Sequence, residues 1–302
     1  MRITVENVGF SYRNQMVLSD LTTQFEAGKI YGLLGRNGVG KTTFLSLLIG
    51  ARMPKEGKLF FNGEPLYENE QAMASIGMFY QRNDLDRESD NTKVEDLFKK
   101  AHRFRENFDF SYAHGLAKKF NIDPSKRVSK LSKGSEAAVQ VIMGLASRLP
   151  ITIFDEVYLG MDAPSRTLFY NELLDEQERF PRTMIISTHL VSEMEHLFEE
   201  VMILNNGRLM IDESYQQLIE KGHTITGDAE AVAEVIQGYQ VIGEQLLGPT
   251  KAVSIYGEID DHMRLECENR QLRINQIPLQ ELFIALTERG GTDSELVNNR
   301  TL

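Results

Sequence analysis

The sequence predicts an α/β protein: an α/β core over about the first 220 residues, with a helical insert inside it and a small α+β unit after it. Three observations predict this. Strand-like and helix-like patterns alternate up to about residue 220. A glycine-rich loop, "GRNGVGKTT", lies between an apolar run and a helical run. The stretch from about residue 85 to 149 reads as helices and lacks convincing strands.

The strands expected in order are "RITVENVGF", "KIYGLLG", "KLFFNG", "IGMFYQ", "ITIFDE", "TMIISTH" and "VMILNNGRLMI". Within the insert, "KVEDLFKKAHRFRENF" and "SEAAVQVIMGLASRL" carry helical spacing. After Lys221 the pattern changes to "HTITGDAEAVAEVIQGY", "KAVSIYGEI", "LRINQ" and "PLQELFIALTERG". The last of these has a proline in its first turn and an amphipathic face, so it is expected to cover a sheet. Its lack of a strongly basic face argues against a membrane surface. The predicted organisation is an α/β domain over 1–220 with a helical subdomain at about 85–149, and an accessory α+β unit over 221–302.

Composition bounds the task. A chain of 302 residues is long enough for about two domains with real cores. Hydrophobic residues make up 41% and charged residues 25%, the balance of a soluble globular protein. A net charge of −11 argues against a general nucleic-acid surface, although it leaves room for a local basic patch. The single cysteine, Cys267, excludes an internal disulfide and a cysteine-rich metal site, and it fits a reducing compartment. "MRITVENVGFSYR" begins directly with strand-like alternation and carries no leader pattern. No apolar run approaches the ~20 residues that cross a bilayer, so a membrane role would run through a partner.

The loop from Gly35 to Thr43 carries the first chemistry. Gly35, Gly38 and Gly40 allow tight turns, so successive backbone N–H groups can surround phosphate oxygens. The helix that follows adds its positive end. Lys41 is placed to reach the β- and γ-phosphates, and the Thr42 hydroxyl to bind Mg2+. In "ITIFDE", a buried strand would deliver Asp155 and Glu156 to its C-terminal tip, where open α/β sheets bind ligands. Asp155 could hold Mg2+, and Glu156 could polarise an attacking water. "TMIISTHL" repeats the geometry with Thr188 and His189, and "IGMFYQRN" with Gln81. In "FSYRN", Tyr12 could stack on a base, with Val17 packing nearby. Taken singly, Gln81 would be surface filler, Tyr12 a turn aromatic and His189 a structural histidine.

In order, Tyr12, GRNGVGKTT, Gln81, LSKGS (Leu131 to Ser135), ITIFDE, GMD ending at Asp162, and His189 resemble the nucleotide-binding subunit of an ATP-binding cassette (ABC) transporter. The resemblance covers roughly Met1 to Leu218, and it is greatest to bacterial ABC-2-type exporter ATPases. It implies a P-loop NTPase core of the ABC type, with an N-terminal antiparallel β portion, an inserted helical subdomain and a small C-terminal α+β domain. It implies an ATPase with ATP and Mg2+ as ligands. ATP would be held by Tyr12, Val17, Gly35, Arg36, Asn37, Gly38, Val39, Gly40, Lys41, Thr42 and Thr43. Mg2+ would be held by Thr42, Gln81 and Asp155. Lys41, Gln81, Glu156 and His189 would carry the chemistry. Ser132, Gly134 and Asp162 would complete the site of a second ABC ATPase subunit, identical or different, in a head-to-tail dimer.

Integral membrane permease subunits would be the further partners. The chain would then be cytoplasmic and peripheral on the inner face of the cell membrane, with no nucleic acid expected. Arg82 to Phe98 would form part of the docking surface, although "RNDLDRESDN" reads equally as a solvated loop. The signature departs from the family pattern Leu-Ser-Gly-Gly-Gln: Lys133 and Ser135 replace Gly and Gln, and Glu136 follows. Glu136 is expected to repel a nearby phosphate, with Lys133 offsetting it. Two other tasks stay open at this point. One is a soluble ABC-type switch in DNA repair or translation, which usually carries long coiled-coil insertions or two cassettes. The other is a low-turnover nucleotide-binding regulator.

Overall fold

The computed structural model describes residues 1–81 and 91–289. A central six-stranded sheet has the order β10-β9-β3-β8-β7-β6. Its members are β3 (Ile30–Leu34), β6 (Ile76–Tyr80), β7 (Ile151–Asp155), β8 (Thr183–Thr188), β9 (Glu200–Asn205) and β10 (Arg208–Ser214). The five strands from β9 to β6 are parallel, and β10 closes one edge antiparallel to β9. Every residue of β3, β7 and β8 is buried. These strands are apolar runs without alternation because the sheet is covered on both faces.

One face packs against α1 (Lys41–Leu48) and a second, antiparallel sheet of order β2-β1-β4-β5. That sheet is built from β1 (Ile3–Tyr12), β2 (Gln15–Phe25), β4 (Glu56–Phe61) and β5 (Glu64–Pro65), and α2 (Glu70–Ser75) leads from it into β6. The strand β2 is absent from the expected set. Register shifts along its ladder with β1 break the simple two-residue alternation that would mark it.

The other face carries α3 (Val94–Phe104), α4 (Phe110–Lys119), α5 (Lys133–Ser147) and α6 (Ala163–Arg179). Phe98, Leu116, Ile142, Phe154 and Phe169 are fully buried in this layer. A polar seam also joins its helices. Glu176, 2% exposed at its side chain, receives both Arg148 at 3.1 Å and Arg182 at 3.4 Å.

Val201 to Ile211, expected as one strand, is a hairpin. Asn206 and Gly207 both have positive φ and turn the chain between β9 and β10. A single helical turn, α7 (Val191–Met194), follows β8, and α8 (Tyr215–Glu220) follows β10.

A third sheet has the order β12-β13-β11-β14, all antiparallel. It comprises β11 (Gly222–Asp228), β12 (Gln240–Leu247), β13 (Thr250–Tyr256) and β14 (Arg273–Gln276). The helices α9 (Ala229–Val235) and α10 (Asp261–Asn269) pack with it in a core of its own around Ile225, Val253, Met263 and Cys267. The strand β12 and the helix α10 were not among the expected elements. The last helix among the described residues, α11 (Leu279–Arg289), does not join that small core. Its Leu279, Leu282, Phe283 and Leu286 belong to the large core beneath the central sheet, where α11 touches both β12 and α7.

Candidate functional site

The strand order places four loops side by side. The loop after β3 neighbours the end of β8, then that of β7, then that of β6, all at C-terminal tips. This is the edge at which open α/β sheets bind ligands. Gly35 to Gly40 turn from β3 into α1, with Gly38 at φ 81° and Gly40 at φ 113°. At Gly40 a side chain would be excluded twice, by the positive φ and by Leu18, whose Cδ2 lies 2.7 Å from where a Cβ would stand. The Val39 side chain turns back onto Gly35, and that of Arg36 turns away to Glu288, 3.1 Å distant.

Lys41 is buried, 5% exposed. Its ammonium donates to the carbonyls of Gly35 at 2.7 Å and Arg36 at 3.3 Å, and it pairs with Glu156 at 3.1 Å. Thr42 Oγ1 donates to Asp155 Oδ2 at 2.7 Å, while the Ser187 hydroxyl donates to Asp155 Oδ1. Glu156 follows Asp155 with φ 47°, a left-handed conformation costly for a residue with a Cβ. Such strain is common where a side chain is aimed for chemistry. His189 Nδ1 approaches the same Glu156 oxygen at 3.4 Å.

Tyr158 braces this segment from below. Its hydroxyl bonds Thr188 Oγ1 at 2.7 Å and accepts from the His189 N–H at 3.3 Å. Burial pushes its phenol up to about 12, so it stays neutral. Ser187 and Tyr158 are partners that the sequence reading does not single out. Their contacts cross between strands and leave no linear spacing.

Tyr12, Gln15, Val17, Asn37, Lys41, Thr42, Thr43 and Glu156 line a cavity of about 430 Å3 beside the loop. Tyr12 is 42% exposed, and its hydroxyl lies 3.3 Å from Thr43 Oγ1. The Arg52 guanidinium stands over the Tyr12 ring, 4.9 Å from its centroid.

The remaining expected residues lie elsewhere. Gln81 follows Tyr80, which pairs in register with Asp155, so Gln81 sits at the same sheet edge. Its amide nitrogen faces Gly160. Ser132 caps α5 by accepting the Ser135 N–H at 3.1 Å. Asp162 caps α6 through the Ser165 N–H at 3.0 Å, and its hydrogen bonds to Ser165 hold its carboxyl below the usual range. Gly134 packs so closely on Gly160 that a Cβ would come within 2.5 Å of the Gly160 carbonyl oxygen.

Glu136 corrects an expectation. It is fully buried on the inner side of α5, so its carboxylate does not face outward from the signature turn, whereas Lys133 is exposed. Of the expected docking segment, residues 82–90 lie outside the described residues.

The cavity fits a nucleotide with Mg2+. A buried lysine lies against the glycine-rich loop, bonded to the Gly35 and Arg36 carbonyls. Thr42 and Asp155 present hard oxygen donors 2.7 Å apart, the pair Mg2+ takes alongside phosphate oxygens. Among the described residues no group of three or more His, Cys, Asp or Glu could hold a metal ion by itself.

Comparison with known proteins agrees with this geometry. The ABC transporter family model matches residues 18–158. The uncharacterized ABC transporter ATP-binding protein YybJ of Bacillus subtilis (strain 168) is 30% identical over 214 residues, covering 70% of this chain and 96% of that one. The chain belongs to the ABC transporter family. Within it, the Nod factor export ATP-binding protein I of Burkholderia lata is 28% identical over 308 residues, 95% of this chain and 97% of that one. A solved ATP-binding subunit of an ABC transporter superposes with a TM-score of 0.63 at 21% identity, over 72% of this chain and 92% of that one. That likeness shows the ABC ATPase fold. The chain is an ATP-binding ABC subunit with ATPase activity, and among the described residues no helix is long and apolar enough to cross a membrane.

Proposed function

We propose that the chain is the ATP-hydrolysing subunit of an exporter and works as a head-to-tail dimer beneath separate membrane subunits. The observation that carries this reading is the meeting of Lys41, the Thr42–Asp155 pair, Glu156 and His189 at neighbouring strand tips. Lys41 exchanges Glu156 for the β- and γ-phosphates. Thr42 and Asp155 hold Mg2+, which when bound neutralises phosphate charge. Freed from Lys41, Glu156 accepts a proton from the water that attacks the γ-phosphorus, and the bond to the β-phosphate oxygen breaks. His189 holds the water and Glu156 in line, and Gln81 reaches the same edge from β6.

Ser132, Gly134 and Asp162 lie outside the cavity that contains Lys41, which supports a role toward a partner's nucleotide. ATP then forms part of the dimer interface, so binding stabilises the closed dimer by linkage and hydrolysis releases it. Export is supported by the likeness to the Nod factor export protein along nearly its whole length. On this reading residues 1–220 are the motor, 221–302 an accessory unit, and the chain sits at the inner membrane face.

The test is phosphate release by the purified chain with Mg-ATP, beside Glu156→Gln. Turnover in the parent and a fall of about 10²-fold or more in the variant are expected. Equal turnover in both would overturn the assignment of Glu156. Recovery of an integral membrane protein with the tagged chain from its native membranes tests the transporter role. Its absence from the complex would count against that role.

A further inference from the structure

The turn α7 follows His189 with one residue between them, and it has no cap of its own. Its N-cap position is Leu190, whose side chain offers no acceptor. The first N–H groups of a helix need acceptors from outside it. One comes from a residue 88 positions away: Gln280 Oε1 accepts the Ser192 N–H at 3.2 Å.

Gln280 stands in the first turn of α11. Below it, Leu279, Leu282, Phe283 and Leu286 are buried in the same core as Val191, Met194 and Leu197. The helix is therefore seated by apolar packing, and the amide is delivered from a fixed base. On its other side α7 is tied to α6, where Arg166 grips Glu193 at 2.7 and 2.9 Å. The far end of α11 reaches the phosphate loop through the Glu288–Arg36 contact, a half-open pair that adds direction more than energy.

We infer that Gln280 is a positioning residue of the ATPase: by capping the turn after His189 from the C-terminal unit, it holds that histidine against Glu156. The inference rests on the proposed hydrolytic role of His189. It gives the C-terminal unit a specific part in turnover, because α11 follows β14 in that unit and β12 packs on it.

The test uses the full chain with Gln280→Ala, which removes the acceptor, and Gln280→Glu, which keeps one and suits a helix N-terminus. Gln280→Ala is expected to lower kcat about three- to tenfold, the rate equivalent of a lost cap, with KM for ATP within about twofold of the parent. Gln280→Glu should return kcat to within about twofold. In histidine-labelled protein, the His189 ring resonances should move in Gln280→Ala and return in Gln280→Glu, while those of His262 stay in place. Unchanged His189 resonances, or a loss of kcat shared equally by both variants, would overturn the inference. The resonance readout needs no turnover. An inactive parent would therefore refute the hydrolytic reading while the position of His189 is still decided on its own.

Discussion

The ammonium of Lys41 lies 3.1 Å from the carboxylate of Glu156, so the group placed to bind phosphate is paired with the group placed to activate water. Both side chains are largely sheltered, at 6% and 21% exposure. A sheltered charge needs a partner, and removing one member leaves the other exposed to a desolvation cost. On the proposed mechanism, nucleotide would resolve this by giving Lys41 a more highly charged partner, and base activation would then be coupled to occupancy of the phosphate loop.

Lys41→Ala should lose at least about 10²-fold in turnover, because the transferred phosphoryl group loses its main cationic side chain. Nucleotide affinity should also fall, read by fluorescent-nucleotide titration. Unchanged phosphate release in this variant would remove the loop from the mechanism.

Glu156→Gln should keep nucleotide affinity near that of the parent, since Lys41 still has its phosphate partner and Thr42 and Asp155 are untouched. ATP would then persist at the interface. Sedimentation should show dimer accumulating on addition of ATP, and not of ADP. Parent-like release kinetics in a single-turnover experiment would show that another group takes the proton.

Much of this site was legible in the sequence because its parts fall at fixed places relative to strands. Lys41 and Thr42 open a helix, and Asp155, Glu156 and His189 end apolar runs, so position followed once the runs were recognised. Gln81, Ser132, Gly134 and Asp162 carry little signal alone and are singled out only through motif order. Ser187, Tyr158 and Gln280 were not legible, because each acts through a contact between elements far apart in the chain. The hairpin at Asn206–Gly207 had the stronger cue, a turn dipeptide inside an apolar run, yet the run as a whole passes for one strand. Bulges hid β2 for the opposite reason, since they disrupt the alternation by which a half-covered strand is recognised.

Tyr12→Ala should weaken ATP binding about three- to tenfold, the worth of one aromatic stack, and GTP binding less. Arg52 covers the ring at 4.9 Å and Phe10 meets it edge-on at 5.1 Å, so the tyrosine is held in place before any base arrives. Arg52→Ala should therefore weaken ATP about two- to threefold through loss of this support. Tyr12→Phe should stay close to the parent. Fluorescent-nucleotide titration separates these outcomes, and equal affinities in Tyr12→Ala and the parent would place the base elsewhere.

The C-terminal unit should be sensitive to mild acid. His223 lines a cavity of about 810 Å3 between α8 and the third sheet, alongside Glu213, Glu220, Lys221, Glu258 and Arg264. Burial first, and the Arg264 charge second, hold its imidazole below the usual value of 6.5. The unfolded chain then binds the proton more tightly, so stability declines as pH falls below about 6.5 and levels off beneath the folded pKa. His223→Gln should flatten that decline. Thermal melts at pH 7.5 and 5.5 should show the parent losing a few degrees more than the variant, on the order of 1–3 °C. A parent that gains stability on acidification would mean that the surrounding carboxylates outweigh burial and Arg264.

The signature turn separates two charges that stand three residues apart. Glu136 is fully buried, whereas Lys133, the first residue of α5 after the Ser132 cap, is exposed. In the proposed dimer, an exposed charge at this turn would act on the partner's phosphate through solvent, and salt would screen it within about 10 Å at 0.1 M. A fully buried side chain acts instead on the packing of its own helix. In the Glu156→Gln background, Lys133→Ala should weaken ATP-dependent dimerisation about three- to tenfold at low salt, and the effect should shrink as salt rises. Glu136→Gln should leave dimer affinity and its salt slope within about twofold of the background. Its effect should appear in the melting temperature, as expected for a change at a buried polar site. Sedimentation at low and high salt, paired with thermal melts, reads both. A salt-dependent tightening of the dimer by Glu136→Gln would mean that α5 rotates on nucleotide binding to bring this carboxylate into the seam.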